Sequence, residues 1–529
     1  MLPFVFLPAY AEIHYRFRYF FSLLTKHEPE IIADVPYRLE LPQTLPVLLL
    51  VKDAHRYPVT LHKADVFIDG QKAFSKEFNE VIERHFFETI LEVPTEAQSP
   101  GNRQIVVKCV YSIKGKTKTC INDNYRGSSK APLPCRFTNS PLPLATGFVY
   151  GDLHSHSSFT EDQIEFGAGI AVMQRMARAI GLHFFAVTDH SYDLDDLPDN
   201  YLKNDPELRK WKTFWQMVSG LNANPGQPVI IPGEELSVGN HKSQNAHLLL
   251  LNNPRFIYGR GDSGERWFRF KPDHRLEEVP QFISEQALAI PAHSAEKVPL
   301  LQKWLINRGE WNAPDLRHAF IFGLQGINGG NEAEISAGIQ QWVRQLLEGR
   351  RLTLMAGNDA HGNFARTRQI GIPFVSIQET DRHRFGVWKT GVFLGKSAEN
   401  PQEILNALRL GNVFVTNGPF VDFNVIANEG VIPVGGTTNN IKVVHCTVRS
   451  SMEFGTITQV QLLAGDLKEQ KERIVWQESF EPNQTFNVQE KITLRLSPQI
   501  GYIRCQAITQ TGNQSFKGLT NAIYVHRSS

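Results

Sequence analysis

Two histidines one residue apart, His154 and His156, stand in "GDLHSHSSFTED" (151–162), and two carboxylates, Glu161 and Asp162, follow closely. Side chains at i and i+2 of an extended strand project to one face, so the two imidazoles aim at one point. Asp359 and His361 in "AGNDAH" repeat that spacing much further along the chain. Between these ends come Asp189 and His190 in "FFAVTDHS", Glu234 and Glu235 in "IIPGEEL", His247 in "NAHLLLLN" and His293 in "AIPAHS". Imidazoles with carboxylates and no thiolate suit zinc, manganese or iron in a reactive centre, not a structural zinc knot. Each piece has an ordinary reading as well: a lone strand-end histidine is a satisfied polar group, and a lone aspartate caps the next helix. Their joint occurrence at the ends of successive apolar runs is what argues for chemistry.

The elements that must position these groups are seven short apolar runs between 147 and 418: the six quoted sites and "IFGLQGIN", the one run without a histidine or acid. Helical patterns such as "GIAVMQRMARAIG" (169–181), "PELRKWKTFWQMVSGL" (206–221) and "SAGIQQWVRQLLEG" (336–349) lie between several of them. Apolar strands alternating with helices predict an α/β fold with a covered parallel sheet, and seven units predict a closed or nearly closed barrel with its site at the C-terminal rim. Residues 1–146 read instead as an N-terminal all-β sandwich-like domain ending in a Pro/Ser-rich linker, "SSKAPLPCRFTNSPLPLATG". Residues 419–529 return to β patterning of an immunoglobulin-like sandwich.

A chain of 529 residues fits three domains. With 55 Lys+Arg against 54 Asp+Glu, its formal net charge is +1, which gives no global field for nucleic acid or an anionic membrane. No apolar run reaches the ~18 residues of a transmembrane helix. The start, "MLPFVFLPAYAE", ends in a small-x-small triplet but lacks a basic n-region. Five cysteines, widely spaced and without a CxxC, do not form a disulfide framework. Cys446 and Cys505 can face each other across a sandwich, but buried free thiols are favoured. A cytoplasmic setting is expected, with a secreted or periplasmic one as the alternative.

In their order, "GDLHSHSSFTED", "FFAVTDHS", "IIPGEEL", "HLLLLN", "AIPAHS" and "AGNDAH" resemble the motifs of the PHP (polymerase and histidinol phosphatase) metal-dependent hydrolases, over roughly 150–365. "ILNALRLGNVFVTNGPFV" and the terminal "LTNAIYV" resemble the CehA/McbA-like branch typified by carbaryl hydrolases, which carries a β-sandwich after the barrel. The resemblance implies a distorted (β/α)7 PHP barrel holding two or three divalent metal ions (Zn, Mn or Fe). Carried over, His154, His156, Glu235 and Asp359 bind a first metal. Glu235 bridges to a second held by His247 and His293, and Glu161, His190 and His361 hold a third. Glu235 is preferred to Glu234 because the family's glutamate sits two residues after the glycine, here Gly233. Glu161-Asp162 departs from the family's Asp-Gly, so the third site is the least defined.

The expected reaction is hydrolysis of a small-molecule ester, anionic esters included, by metal-bound hydroxide. His190 or His361 can protonate the leaving group if the third site is empty. Asp152 and Asp189 either hold the imidazoles in register or serve as turn caps. Candidate anion contacts are Arg366 and Arg368, and the basic residues Arg255, Arg260, Arg266, Arg269, Lys271 and Arg275 of an insert that also reads as a solvated loop. His241 reads either as a substrate or alternative metal contact or as a bystander, and His183 as packing. A phosphoesterase is the leading expectation. A carbamate, amide or carboxylic ester hydrolase and a non-catalytic binding protein are the alternatives. Nucleic acid and membrane are not expected partners.

Overall fold

The computed structural model describes residues 28–124, 130–160, 167–197, 200–261, 271–366, 369–372, 375–378, 381–481 and 484–526. Glu161, Asp162, Arg266, Arg269 and Arg368 lie outside the described residues, as does the stretch 1–27. The fold is mixed α/β and strand-rich, with several sheets. No helix among the described residues is long and apolar enough to cross a membrane.

The chain packs as two compact units, each built from discontinuous segments. The first comprises Met1–Pro141, His156–Gly181 and Ala360–Phe385. Its β structure is a three-stranded antiparallel sheet (Glu30–Asp34, Leu45–Lys52, Phe86–Val93) and a six-stranded sheet that includes Val59–Ile68, Gly101–Ile113 and Leu133–Thr138. In Val59–Ile68 and Gly101–Ile113, inward Val66, Ile105 and Val107 alternate with more exposed neighbours, as strands covered on one face require. Leu45–Lys52 is buried along its whole length. The helix Ile170–Ile180 adds Ala179 to this core and stops at Gly181, whose φ of 90° suits glycine. Buried Arg38 donates to the carbonyls of Ile180 (2.9 Å) and Ser140 (2.7 Å), which fixes the helix end to the strands.

The second unit comprises Leu142–Ser155, Leu182–Asp359 and Gly386–Ser529. Phe148–Asp152, Phe184–Val187 and the start of Val229–Gly239 run parallel as neighbours, all buried among apolar side chains. From there the order departs from the uniformly parallel sheet that the alternating pattern predicts. Val229–Gly239, Asn245–Leu251 and Leu288–Pro291 pair antiparallel. For the first of these pairs the physical reason is the connection 240–244, which is long enough for a hairpin and far too short for a crossover. Gly323–Asn328 and Thr353–Gly357 form a separate parallel pair joined by the helix Glu332–Leu347, whose N-cap Asn331 makes a capping box with Glu334.

On its other side, Phe148–Asp152 pairs with Lys389–Phe393, then Val413–Thr416, then Gln514–Thr520, so one sheet runs on into the C-terminal strands. A four-stranded sheet containing Phe420–Ala427 and Val443–Arg449 is also present. Cys446 of this sheet and Cys505 of the long one approach to 3.3 Å, Sγ to Sγ, as buried free thiols.

Candidate metal centre

Six of the sequence-predicted residues come together in the second unit, around Glu235. Its Oε2 lies 3.3 Å from His154 Nε2 and 3.2 Å from His190 Nδ1. Its Oε1 lies 2.7 Å from His247 Nδ1 and 3.2 Å from His293 Nε2. Asp359 Oδ1 stands 3.3 Å from His154 Nε2. His154, His190 and His293 each follow a strand end, whereas Glu235 and His247 sit inside two strands paired as a hairpin. Strand alternation turns Glu234 to the opposite side, where its carboxylate accepts from the Ser191 hydroxyl (2.9 Å). Burial pushes the Glu234 carboxyl up to about 8, against the bond from Ser191.

The donor orientation is set by groups that carry no charge. Gln325 Oε1 accepts the backbone N–H of His293 (3.0 Å), which fixes which end of the amide is oxygen. His154 Nδ1, 2.9 Å from that oxygen, must therefore donate, which leaves Nε2 as the ring nitrogen turned toward Glu235 and Asp359 and able to take a metal ion. Gln325 Nε2 donates to Asn328 Oδ1 (2.7 Å), and Asn328 Nδ2 reaches Asp359 Oδ2 at 3.4 Å. A Cβ at position 357 would stand 2.6 Å from His154 Cβ and 2.9 Å from Gln325 Nε2, so glycine is needed for this approach. Asp152 accepts from the backbone N–H groups of His154 (3.2 Å) and Asn358 (3.2 Å), tying together the two loops that deliver His154 and Asp359. It thus holds backbone, not an imidazole. Burial raises its carboxyl to about 6.

The arrangement fits a divalent cation. His154 Nε2, Glu235 Oε2 and Asp359 Oδ1 are atoms of metal-ligand type turned on one another in a largely buried place. Ligands about 2.1 Å from one ion, spread at the tetrahedral angle, stand about 3.4 Å apart. His293 and Asp359 hold positive φ values of 31° and 54°, strain of about 1–3 kcal/mol each that surrounding structure must maintain. Burial alone would depress the His293 imidazole, but the carboxylates of Glu296 and Glu235 outweigh it and hold the group up at about 10.

Sequence reasoning did not find Gln325, Asn328 or Arg308. Gln325 belongs to "IFGLQGIN", the one run that lacks a titratable ligand. Arg308, 2% exposed, places its guanidinium against His247 Nε2 and 3.9 Å from Glu296. Only its position between two motifs could have drawn notice to it.

His156 and His361 belong to the first unit, where their rings stack at 4.1 Å between centroids and 10° between planes. The His156 N–H donates to Ala360 O (2.8 Å), and the carboxylate of Asp34 accepts the N–H groups of residues 364–366, which shapes the loop after His361. Arg366 is buried there, 3.8 Å from Asp123. His241 pairs with Asp315 (3.0 Å), and His183 Nδ1 accepts the Tyr150 N–H (3.1 Å). Arg255 bonds Gln281 O, Arg275 contacts Ser243, and Arg260 bonds Asp273 (3.2 Å) and Asn204 Oδ1 (2.6 Å), 3.8 Å from Asp195; Lys271 is exposed.

No family model matches this chain, and no curated protein does. Among solved structures, two of the β-glucuronidase of Parabacteroides merdae, one with glycerol in its active site, align at 8% and 9% identity. They cover 96% and 95% of this chain and 65% of theirs, with a TM-score of 0.18. The chain thus spans 65% of those enzymes' length, and at that TM-score the likeness carries no argument.

Proposed function

We propose that this protein is a metal-dependent hydrolase of the PHP type, folded around a distorted (β/α)7 barrel, and that it acts as a phosphoesterase. The observation that carries the proposal is the clustering of His154, His190, His247, His293 and Asp359 about the single carboxylate Glu235. Glu235, with one oxygen toward each pair of imidazoles, suits a bridge between two cations. His154 and Asp359 would hold one ion, and His247 and His293 the other. The resemblance adds His156 to the first set, and His361, His190 and Glu161 as a third. Divalent Zn, Mn or Fe bound there would supply hydroxide from coordinated water at neutral pH and neutralise charge on the reacting oxygen.

The chain's own residues do the rest. Gln325 keeps His154 Nε2 aimed inward, and Asn328 orients Asp359. The Arg308 guanidinium, buried beside His247, can donate to an anionic oxygen of the substrate, and this favours a phosphoester over a neutral carbamate or carboxylic ester.

Elemental analysis of the purified chain, paired with p-nitrophenyl phosphate, phosphodiester, carbamate and acetate substrates under added Mn²⁺ or Zn²⁺, tests this reading. Bound metal with phosphate-ester turnover is expected. Turnover confined to carbamates or acetates would move the protein to the alternative hydrolase class. Negligible metal with no turnover would sink the enzyme reading and leave a binding protein.

A further inference from the structure

The first unit carries a second constellation of the same donor types, on its surface. Asp53 follows the strand Leu45–Lys52 with a left-handed φ of 67°. Its carbonyl accepts the N–H groups of Arg56 (3.1 Å) and Tyr57 (3.2 Å), which curls the chain and brings His55 round. Its own N–H donates to the carbonyl of His85 (2.8 Å), in the turn between Gln71–Ile82 and Phe86–Val93. One backbone bond thus staples two loops together at the point where their side chains meet. His85 Nε2 lies 3.3 Å from Asp53 Oδ1, and the His55 and His85 rings pack edge-on at 4.7 Å and 75°. One ligand atom from each of the three residues falls within 4.8 Å of the other two.

The ordinary reading is an exposed His–Asp pair, which contributes little to stability. It accounts for His85 and Asp53 but not for the third donor, His55, whose approach to a second imidazole gains nothing when either ring is protonated. Two imidazoles and one carboxylate on one side of an ion leave its remaining positions to water, a set that suits Zn²⁺ or Cu²⁺ and disfavours Ca²⁺ or Mg²⁺, which demand oxygen.

We propose that Asp53, His55 and His85 form a solvent-open site for a transition-metal dication of the Zn²⁺/Cu²⁺ class, which pins the loop after Lys52 to the turn before Phe86. The site is independent of the centre around Glu235. The test is titration of the untagged full chain with Cu²⁺, followed by calorimetry and by electron paramagnetic resonance, which reads nitrogen coordination directly. The His55→Gln/His85→Gln double variant is expected to bind one Cu²⁺ equivalent fewer than the wild type and to lose one nitrogen-coordinated signal. The Glu235→Gln variant is expected to keep that signal. A double variant with undiminished stoichiometry and an unchanged spectrum would overturn the proposal. If the double variant melts early, the single His55→Gln variant, whose side chain is exposed, is read by the same criterion.

Discussion

The Glu235 centre and the Asp53 group are built from the same residue types, yet they differ in what surrounds the donors. Around Glu235 the imidazoles are buried, and an uncharged network runs from Gln325 to Asn328 to Asp359. At Asp53, two loops are held by backbone bonds, and His85 is 44% exposed on its side chain. Burial makes an uncompensated cluster of imidazoles and carboxylates costly, so the first arrangement calls for a compensating positive charge, which a bound metal ion or a protonated imidazole can supply. Exposure removes that compulsion, because water can satisfy the second. The lesson is that donor type selects the class of metal, while the oriented surroundings decide whether a compensating charge is obligatory.

The harshest way to break this contrast is Glu235→Gln. It removes the one carboxylate shared by four imidazoles and should lower kcat on the substrate class found active by on the order of a thousandfold or more, with loss of bound metal. Elemental analysis and steady-state assays read both effects. Retained metal and near-normal turnover would place the chemistry elsewhere. Next comes Gln325→Leu, which frees the His154 ring to adopt either tautomer. Metal affinity should fall about 10–100-fold, measured by competition with a chromogenic chelator, while Gln325→Glu, which keeps the acceptor oxygen, should recover part of it. Equal affinity in wild type and Gln325→Leu would show that the uncharged network does not orient the ligands.

These two variants also mark what could be read from the sequence. The i, i+2 pairs and the strand-end histidines were legible because ligands are titratable residues at positions set by strand period. Glu235 was preferred to Glu234 through the resemblance, in which the glutamate sits two residues after the glycine, and alternation then turned Glu234 away. Gln325 was not legible, since an amide in an apolar run looks like any polar core residue until its two bonds are seen. The antiparallel turn of Asn245–Leu251 was hidden for a different reason: an apolar run reads the same in either strand direction. Nor could the first unit's assembly be seen, because bonds such as Arg38 to the Ile180 carbonyl join residues far apart in the chain and leave no periodic trace.

Arg308 sharpens the comparison on the side of substrate, because its buried guanidinium lies directly against the His247 imidazole. Arg308→Met should raise KM for p-nitrophenyl phosphate by about tenfold or more, the worth of one charge-assisted hydrogen bond, and leave any residual turnover of p-nitrophenyl acetate nearly unchanged. A parallel fall for both substrates would mean that Arg308 supports His247 and not the anion.

The smallest effect comes from a third kind of carboxylate, half-buried and belonging to neither donor group. Asp422 lies in the strand Phe420–Ala427, and burial pushes its carboxyl up to about 7 from 3.8, only partly offset by the N–H of Phe423. Its folded-state pKa thus exceeds its unfolded value, so the folded chain holds the proton more tightly between about pH 4 and 7. Stability contributed by this group must fall as pH rises through that window and stay low above it. Asp422→Asn removes the titration. The melting temperature of the variant relative to wild type should rise by about 2–4 °C between pH 5 and pH 8, read by calorimetry at both values. Because Asp422 faces no cluster of donors, chelation should leave that difference unchanged, whereas chelation should lower the melting temperature of both chains together if the Glu235 centre holds metal. A pH-independent difference would show that Asp422 is hydrated in the folded state, and that burial alone, without convergent lone pairs, imposes no comparable demand on a carboxylate in this protein.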